Sequence, residues 1–151
     1  MSKYLFLFLI LFSFAKSELY EGVPVHDINK LSRGGKKEVS LTVKEGEEFA
    51  LKFQGNPTTG YMWVLLNLGQ LDDSLQGLNI KKDGIAAYVP NSREKKLDGG
   101  AGHFYYKFKA LKVTNEEKTL NFSYRRPWEK GTNEPSIVVK INIVSKWKLL
   151  K

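Results

Sequence analysis

The chain of 151 residues contains no cysteine. Disulfide frameworks, thiolate metal sites and thiol nucleophiles are therefore excluded. It has only two histidines, His26 and His103, which argues against a histidine-based metal site or a catalytic dyad. Glu129 and Glu134 do not have the pattern of paired catalytic carboxylates. No nucleophile–base–orienter set appears, so neither an enzyme nor a metal or other cofactor is expected. Amphipathic helical periodicity is missing as well. Lysines and arginines outnumber acids 24 to 16, but they are spread along the chain. Basic residues not gathered on one recognition helix argue against nucleic acid.

Only one long apolar run exists, and it is at the N-terminus. Lys3 precedes Leu5 to Phe14, which only Ser13 interrupts, and Ala15 and Ser17 fit a small-x-small cleavage site. This is the pattern of a secretory signal peptide over residues 1–17, with Glu18 as the first mature residue. The run is short for a spanning helix and no later stretch is longer, so stable membrane insertion is not expected. The route leads through the secretory pathway, to export or to lysosome-like vesicles. Removing the segment takes away Lys3 and Lys16 and no acid, so the formal charge falls from +8 to +6. Without cysteine, residues 18–151 must be stabilised by their core alone.

The rest of the chain alternates. Val39, Leu41 and Val43 face one way, and so do Phe49, Leu51 and Phe53. The longest strand sets Phe104, Tyr106, Phe108 and Ala110 against His103, Tyr105, Lys107 and Lys109. Leu120, Phe122 and Tyr124 follow, then Ile137, Val139, Ile141 and Ile143. A period of two with one apolar face marks half-buried strands. Tyr61 to Leu66 is apolar on both faces, which predicts a central strand with Trp63 and Tyr61 in the core. Leu78 to Lys81 and Ile85 to Val89 are short strand candidates around Asp83-Gly84. Seven or eight such strands with regular turn signals predict an all-β, antiparallel β-sandwich. Loops following the strands that end near Phe53, Val89 and Tyr124 are separated by an even number of strands, so all three can gather at one end.

These loops carry the most distinctive residues. Asn56-Pro57-Thr58-Thr59-Gly60 is a turn in which proline fixes φ and restricts the residue before it. Gly99 and Gly100 sit in a glycine-rich stretch ahead of His103. Arg126-Pro127-Trp128 follows the strand ending at Tyr124 and carries a large aromatic past the end of the sheet, because proline cannot donate to a ladder. Each motif alone reads as a surface turn.

Taken together, in order and at about the right spacing, they resemble the chagasin-type inhibitors of papain-like cysteine peptidases. The resemblance runs from Glu38 to Ile143 and implies an immunoglobulin-like sandwich. It implies that Asn56, Pro57, Thr58, Thr59 and Gly60 enter the peptidase cleft. Gly99 and Gly100 would run along one side, and Arg126, Pro127 and Trp128 would grip the other rim. The family's Gly-x-Gly-Gly pattern has Leu97 at its first position here. The implied activity is reversible, competitive and non-covalent inhibition by a monomer of a papain-family cysteine peptidase, its producer's own or a foreign one. The alternative reading is an immunoglobulin-like adhesion or carbohydrate-binding module using Trp128 and Tyr105 as its platform.

Overall fold

A computed structural model describes residues 22–90, 101–129 and 134–147. The N-terminal segment 1–17, Leu97, Gly99 and Gly100 lie outside the described residues. Nine strands form two sheets among the described residues: β1 (Val25–Asp27), β2 (Glu38–Lys44), β3 (Glu48–Gly55), β4 (Met62–Leu65), β5 (Leu75–Gly77), β6 (Ala87–Pro90), β7 (Gly102–Ala110), β8 (Lys118–Arg125) and β9 (Ser136–Val144). A single helical turn, α1 (Ile28–Leu31), follows β1. The first sheet runs β1-β3-β7-β5, with β6 also on β7, and the second runs β2-β9-β8-β4. The outermost pairings β1–β3 and β2–β9 are parallel, and the others are antiparallel.

The alternation of the sequence becomes the core. Every second residue of β7 from Gly102 to Ala110 is buried, and Phe49, Leu51 and Phe53 meet Val139, Ile141 and Ile143 in one cluster. Aromatic rings fill its centre. Phe53 lies 4.5 Å from Phe122, 4.8 Å from Trp63 and 5.6 Å from Tyr106 between ring centroids. Such offset and edge-on pairs add to the stabilisation from burial itself.

Three local expectations are corrected. The Tyr61–Leu66 strand is not central: β4 is the edge of the second sheet, and Leu66 is 53% exposed. Its inner side chains, Trp63 and Leu65, pack in the core, and its open edge is met by a turn instead of another strand. Leu65 donates its N–H to the Gly84 carbonyl at 2.8 Å. Gly84 has φ +81°, and a Cβ there would lie 2.2 Å from the Leu65 oxygen, so only glycine fits. The strand expected at Leu78–Lys81 is displaced to β5, because Lys81 and Gly84 are taken into that covering turn. Tyr61 is half-buried at the sheet's end rather than part of the core.

Two asparagines close gaps in the ladders. Asn79 donates Nδ2 to the Tyr105 carbonyl and accepts from the Lys107 N–H, both at 2.8 Å, filling the space between β5 and β6. Asn67 does the same beside β8, with Thr119 at 2.8 Å and Asn121 at 2.9 Å. Each amide stands in for a peptide group, which satisfies backbone that an interrupted edge would leave open.

Two predictions concern stability. The buried Tyr106 hydroxyl donates to the Trp63 carbonyl and lies 3.2 Å from the Gly84 oxygen, joining β7 to β4 and its covering turn. Burial pushes that phenol well above its ordinary range, so it remains a donor. Tyr106→Phe should cost about 1–3 kcal/mol of unfolding free energy, the usual penalty for stranding buried acceptors, as read by denaturant titration. His26 packs edge-on against Phe49 at 6.2 Å, and its buried Nε2 has no hydrogen-bond partner. Burial holds this imidazole below its ordinary pKa, with Glu47 opposing weakly. The unfolded chain therefore takes up a proton that the folded site resists. The contribution is fully present above the ordinary value of 6.5 and is lost as pH falls below it. His26→Leu should flatten the decline in Tm between about pH 7 and about pH 5, where histidine titrates; an unchanged slope would assign the decline to other groups.

Candidate functional site

Strand register brings the first and third singled-out segments, and the described residues flanking the second, to one end of the sandwich. Gly55, the last residue of β3, pairs with Gly102, the first of β7. Pro90, the last of β6, pairs with the same Gly102 from the other side of β7, so the described ends flanking residues 91–100 lie at this end of the sheet. On the second sheet, Met62 at the start of β4 pairs with Arg125 at the end of β8. Residues 56–61 link the two sheets there, and Arg126 to Trp128 leave alongside them. The positions of Gly99 and Gly100 within the second loop lie outside the described residues.

The first loop is a built turn. Asn56, extended at φ −137° and ψ 102°, caps a 3-10 turn at Pro57–Thr59. Its Oδ1 accepts from the Thr58 N–H at 3.1 Å and the Thr58 hydroxyl at 2.6 Å. Thr59 donates its hydroxyl to the Asn56 carbonyl at 3.0 Å. Pro57 occupies the first helical position, where its missing N–H costs nothing. Gly60 ends the turn at φ +83° and donates to the Pro57 carbonyl at 2.9 Å. Thr58 and Thr59 are exposed at the tip.

Rings tie this turn to the core. The buried Trp63 donates its indole N–H to the Gln54 carbonyl at 2.9 Å. Its ring lies 5.3 Å from Tyr124, and Tyr124 lies 5.7 Å from Tyr61. The Tyr124 hydroxyl accepts from the Asn56 N–H at 3.1 Å. One aromatic series thus runs from Phe53 through Trp63 and Tyr124 to Tyr61, and it holds the loop at its root.

The third loop braces the first. Arg126 donates Nε to the Thr59 carbonyl at 3.1 Å, and its guanidinium lies 4.9 Å from the centre of the Tyr61 ring. Its Nη1 also meets Glu129 at 3.0 Å. Arg125 donates to the Glu129 carbonyl at 2.9 Å and lies 3.7 Å from Glu134, which accepts from the Ser123 hydroxyl at 3.0 Å. Both glutamates therefore shape the loop. Trp128 is 68% exposed, yet the tip of its ring passes within 2.7 Å of where a Gly60 Cβ would sit.

Asn56, Pro57, Thr58, Thr59, Gly60, Arg126, Pro127 and Trp128 are thus brought together. Sequence reasoning missed the supporting roles of Tyr61, Tyr124 and Glu129. Only the position of Tyr124 at the last turn of its strand hinted at one. Tyr105 faces outward from the first sheet while Trp128 follows the second, so the two do not form one aromatic platform. No group of acids and histidines suited to a metal ion occurs among the described residues.

Comparison with known proteins bears on the same segment. Residues 42–143 match the chagasin family peptidase inhibitor I42. The chain is 31% identical over 104 residues to Amoebiasin-1 of Entamoeba histolytica, covering 69% of this chain and 89% of that protein. Its fold resembles the solution structure of Amebosin (TM-score 0.56, 22% identity, 81% of this chain and 98% of the other). It also resembles the cysteine protease inhibitor EhICP2 of Entamoeba histolytica (TM-score 0.54, 20% identity, 81% and 96%). A third likeness is PbICP-C, solved in complex with falcipain-2 (TM-score 0.53, 16% identity, 80% and 99%). The family match spans the first loop, the strands that support it and Arg126-Pro127-Trp128. With the fold, it establishes that the chain belongs to the chagasin family of peptidase inhibitors, as an inhibitor and not an enzyme.

Proposed function

We propose that the chain inhibits papain-family cysteine peptidases reversibly, competitively and without a covalent bond, by lodging the Asn56–Gly60 turn in the active-site cleft. The observation that carries this reading is the braced turn. It is narrow, tipped by two small side chains, closed by its own hydrogen bonds and held from behind by Arg126 and Tyr124. A loop already fixed in its bound shape loses little conformational entropy on docking. Its 3-10 geometry at Pro57–Thr59 also keeps the peptide bonds from lying extended across a nucleophile, so the inhibitor is not a substrate. Trp128, exposed beside the turn, is the rim contact. The glycine stretch with Gly99 and Gly100, flanked by Pro90 and Gly102 at the same end of the sheet as Gly55, is the contact on the other side. That PbICP-C was solved with falcipain-2 supports a peptidase partner for this fold. The proposed setting is the secretory route, outside the cell or in lysosome-like vesicles, and the proposed working form is a monomer.

Titration of papain with the mature protein, followed with a peptide substrate, tests the mechanism. Stoichiometric loss of activity, a raised apparent KM with unchanged kcat, and an intact Asn56–Gly60 segment after incubation are expected. Failure to inhibit any of several papain-like peptidases would defeat the proposal. Replacing Thr58 and Thr59 together by Asp should weaken binding strongly, because an unpaired charge carried into a cleft costs several kcal/mol.

Trp128 and Trp63 separate contact from support. Trp128→Ala should speed peptidase release by about ten-fold or more, since an aromatic hot spot contributes roughly 2 kcal/mol or more to binding. The thermal midpoint should barely move, given the residue's exposure. Trp63→Ala should lower stability by about 3–5 kcal/mol, the typical cost of deleting a buried tryptophan. Dissociation kinetics and thermal unfolding on both variants decide the matter: unchanged release by Trp128→Ala would make the third loop purely structural.

A further inference from the structure

Beside the roots of the first and second loops, the outer face of the first sheet carries an open recess of about 330 Å³. Lys52, Gln54 and His103 form its strand wall, and Asn29, Lys30 and Arg33 form the wall on the α1 side, with Asp27 between them. The recess is fixed in place. Asn29 accepts from the Gln54 N–H at 2.6 Å, which ties the helical turn to β3. Asp27, its one carboxylate, is occupied twice: it accepts from the Lys30 backbone N–H at 3.1 Å and pairs with the Lys52 ammonium at 3.5 Å. That pairing cancels the Lys52 charge. The side-chain charges of Lys30 and Arg33 have no acidic partner among the described residues, and both residues are exposed. The recess thus presents two uncompensated cations.

Its position gives the charge a use. Gln54 pairs with His103 across β3 and β7. One residue precedes Gly55 and the other follows Gly102, the points from which the two loops depart. A strand advances about 3.3 Å per residue, so a body gripping those loops comes within a few ångströms of the recess. That is inside the screening length of about 8 Å at physiological salt. Resting on the reading of the loops as peptidase-binding, we propose that the recess receives acidic side chains on the flank of the peptidase cleft and steers the inhibitor into its docking orientation. An open, donor-lined recess at the interface edge with two free cations is complementary to surface carboxylates. Charges placed at such a rim act mainly on the rate of association.

The test uses the full mature chain and, among papain-like peptidases, the one it inhibits fastest. Association and dissociation rates are measured at low and high salt for three proteins: the wild type, Lys30→Gln with Arg33→Gln, and Lys44→Gln with Lys146→Gln. The last pair removes the same charge from a hollow at the opposite end of the sandwich. The recess pair should slow association by roughly three- to ten-fold at low salt, a modest part of the range that steering spans. Dissociation should stay within about two-fold, and the difference should vanish at high salt as screening removes steering. The distal pair should associate like the wild type. Equal slowing by both pairs would show an effect of net charge alone and overturn the proposal, as would no slowing by the recess pair. Failure of the wild type to inhibit at all would instead overturn the peptidase reading, and the two failures are distinguishable.

Discussion

The candidate binding edge depends on two aromatic side chains whose polar tips bond to backbone. Trp63 is packed against Phe53 in the core, and its indole N–H holds the Gln54 carbonyl where β3 ends. Tyr124 stacks on Trp63, and its hydroxyl holds the Asn56 N–H where the loop begins. A buried tryptophan or tyrosine has to find a partner for its polar atom. Here those partners are the two peptide groups flanking Gly55, on either side of the junction between strand and loop. The packing energy of the core is in this way applied to the orientation of the turn. A loop hung from backbone bonds alone would lack that coupling.

The strands were legible because burial on one face imposes a period of two, and β7 obeys it at every position. The first turn was legible for an equally local reason: an asparagine, a proline and a glycine at those spacings are a cap, a first helical position and a left-handed terminator. The misreading of β4 has a physical cause. An apolar run on both faces signals cover on both faces, but it does not say that the cover is a strand. Here the core covers the inner face, while a turn ending in Gly84 takes the place of a neighbouring strand at the edge, and its approach requires the absence of a side chain. The roles of Arg126 and Tyr124 were not legible, because they join residues 67 and 68 positions apart in the chain. The motif Arg-Pro-Trp shows where the chain leaves the sheet. It does not show that its arginine turns back to hold another loop.

That turning back changes what the arginine is for. A guanidinium free in solvent could contact a partner directly. Here its Nε is committed to the Thr59 carbonyl, its face to Tyr61 and its Nη1 to Glu129. Exposed ion pairs contribute little to stability, so the value of this set lies in position. It keeps the carbonyl at the end of the turn directed inward and leaves the threonine tip directed outward. On the proposed reading of these loops, contact with a peptidase by the third loop falls to Pro127 and Trp128.

Gly60 is where these constraints meet. Its left-handed backbone ends the turn, a condition that asparagine could also meet at some cost. The Trp128 ring adds a second condition, since any Cβ at this position would press to within 2.7 Å of it. A larger residue could satisfy the backbone only by pushing Trp128 away, and it could retain Trp128 only by distorting the turn. The shape of the first loop and the placement of the third are therefore not independent variables. One missing side chain lets the turn and the tryptophan lie against each other and share a single surface.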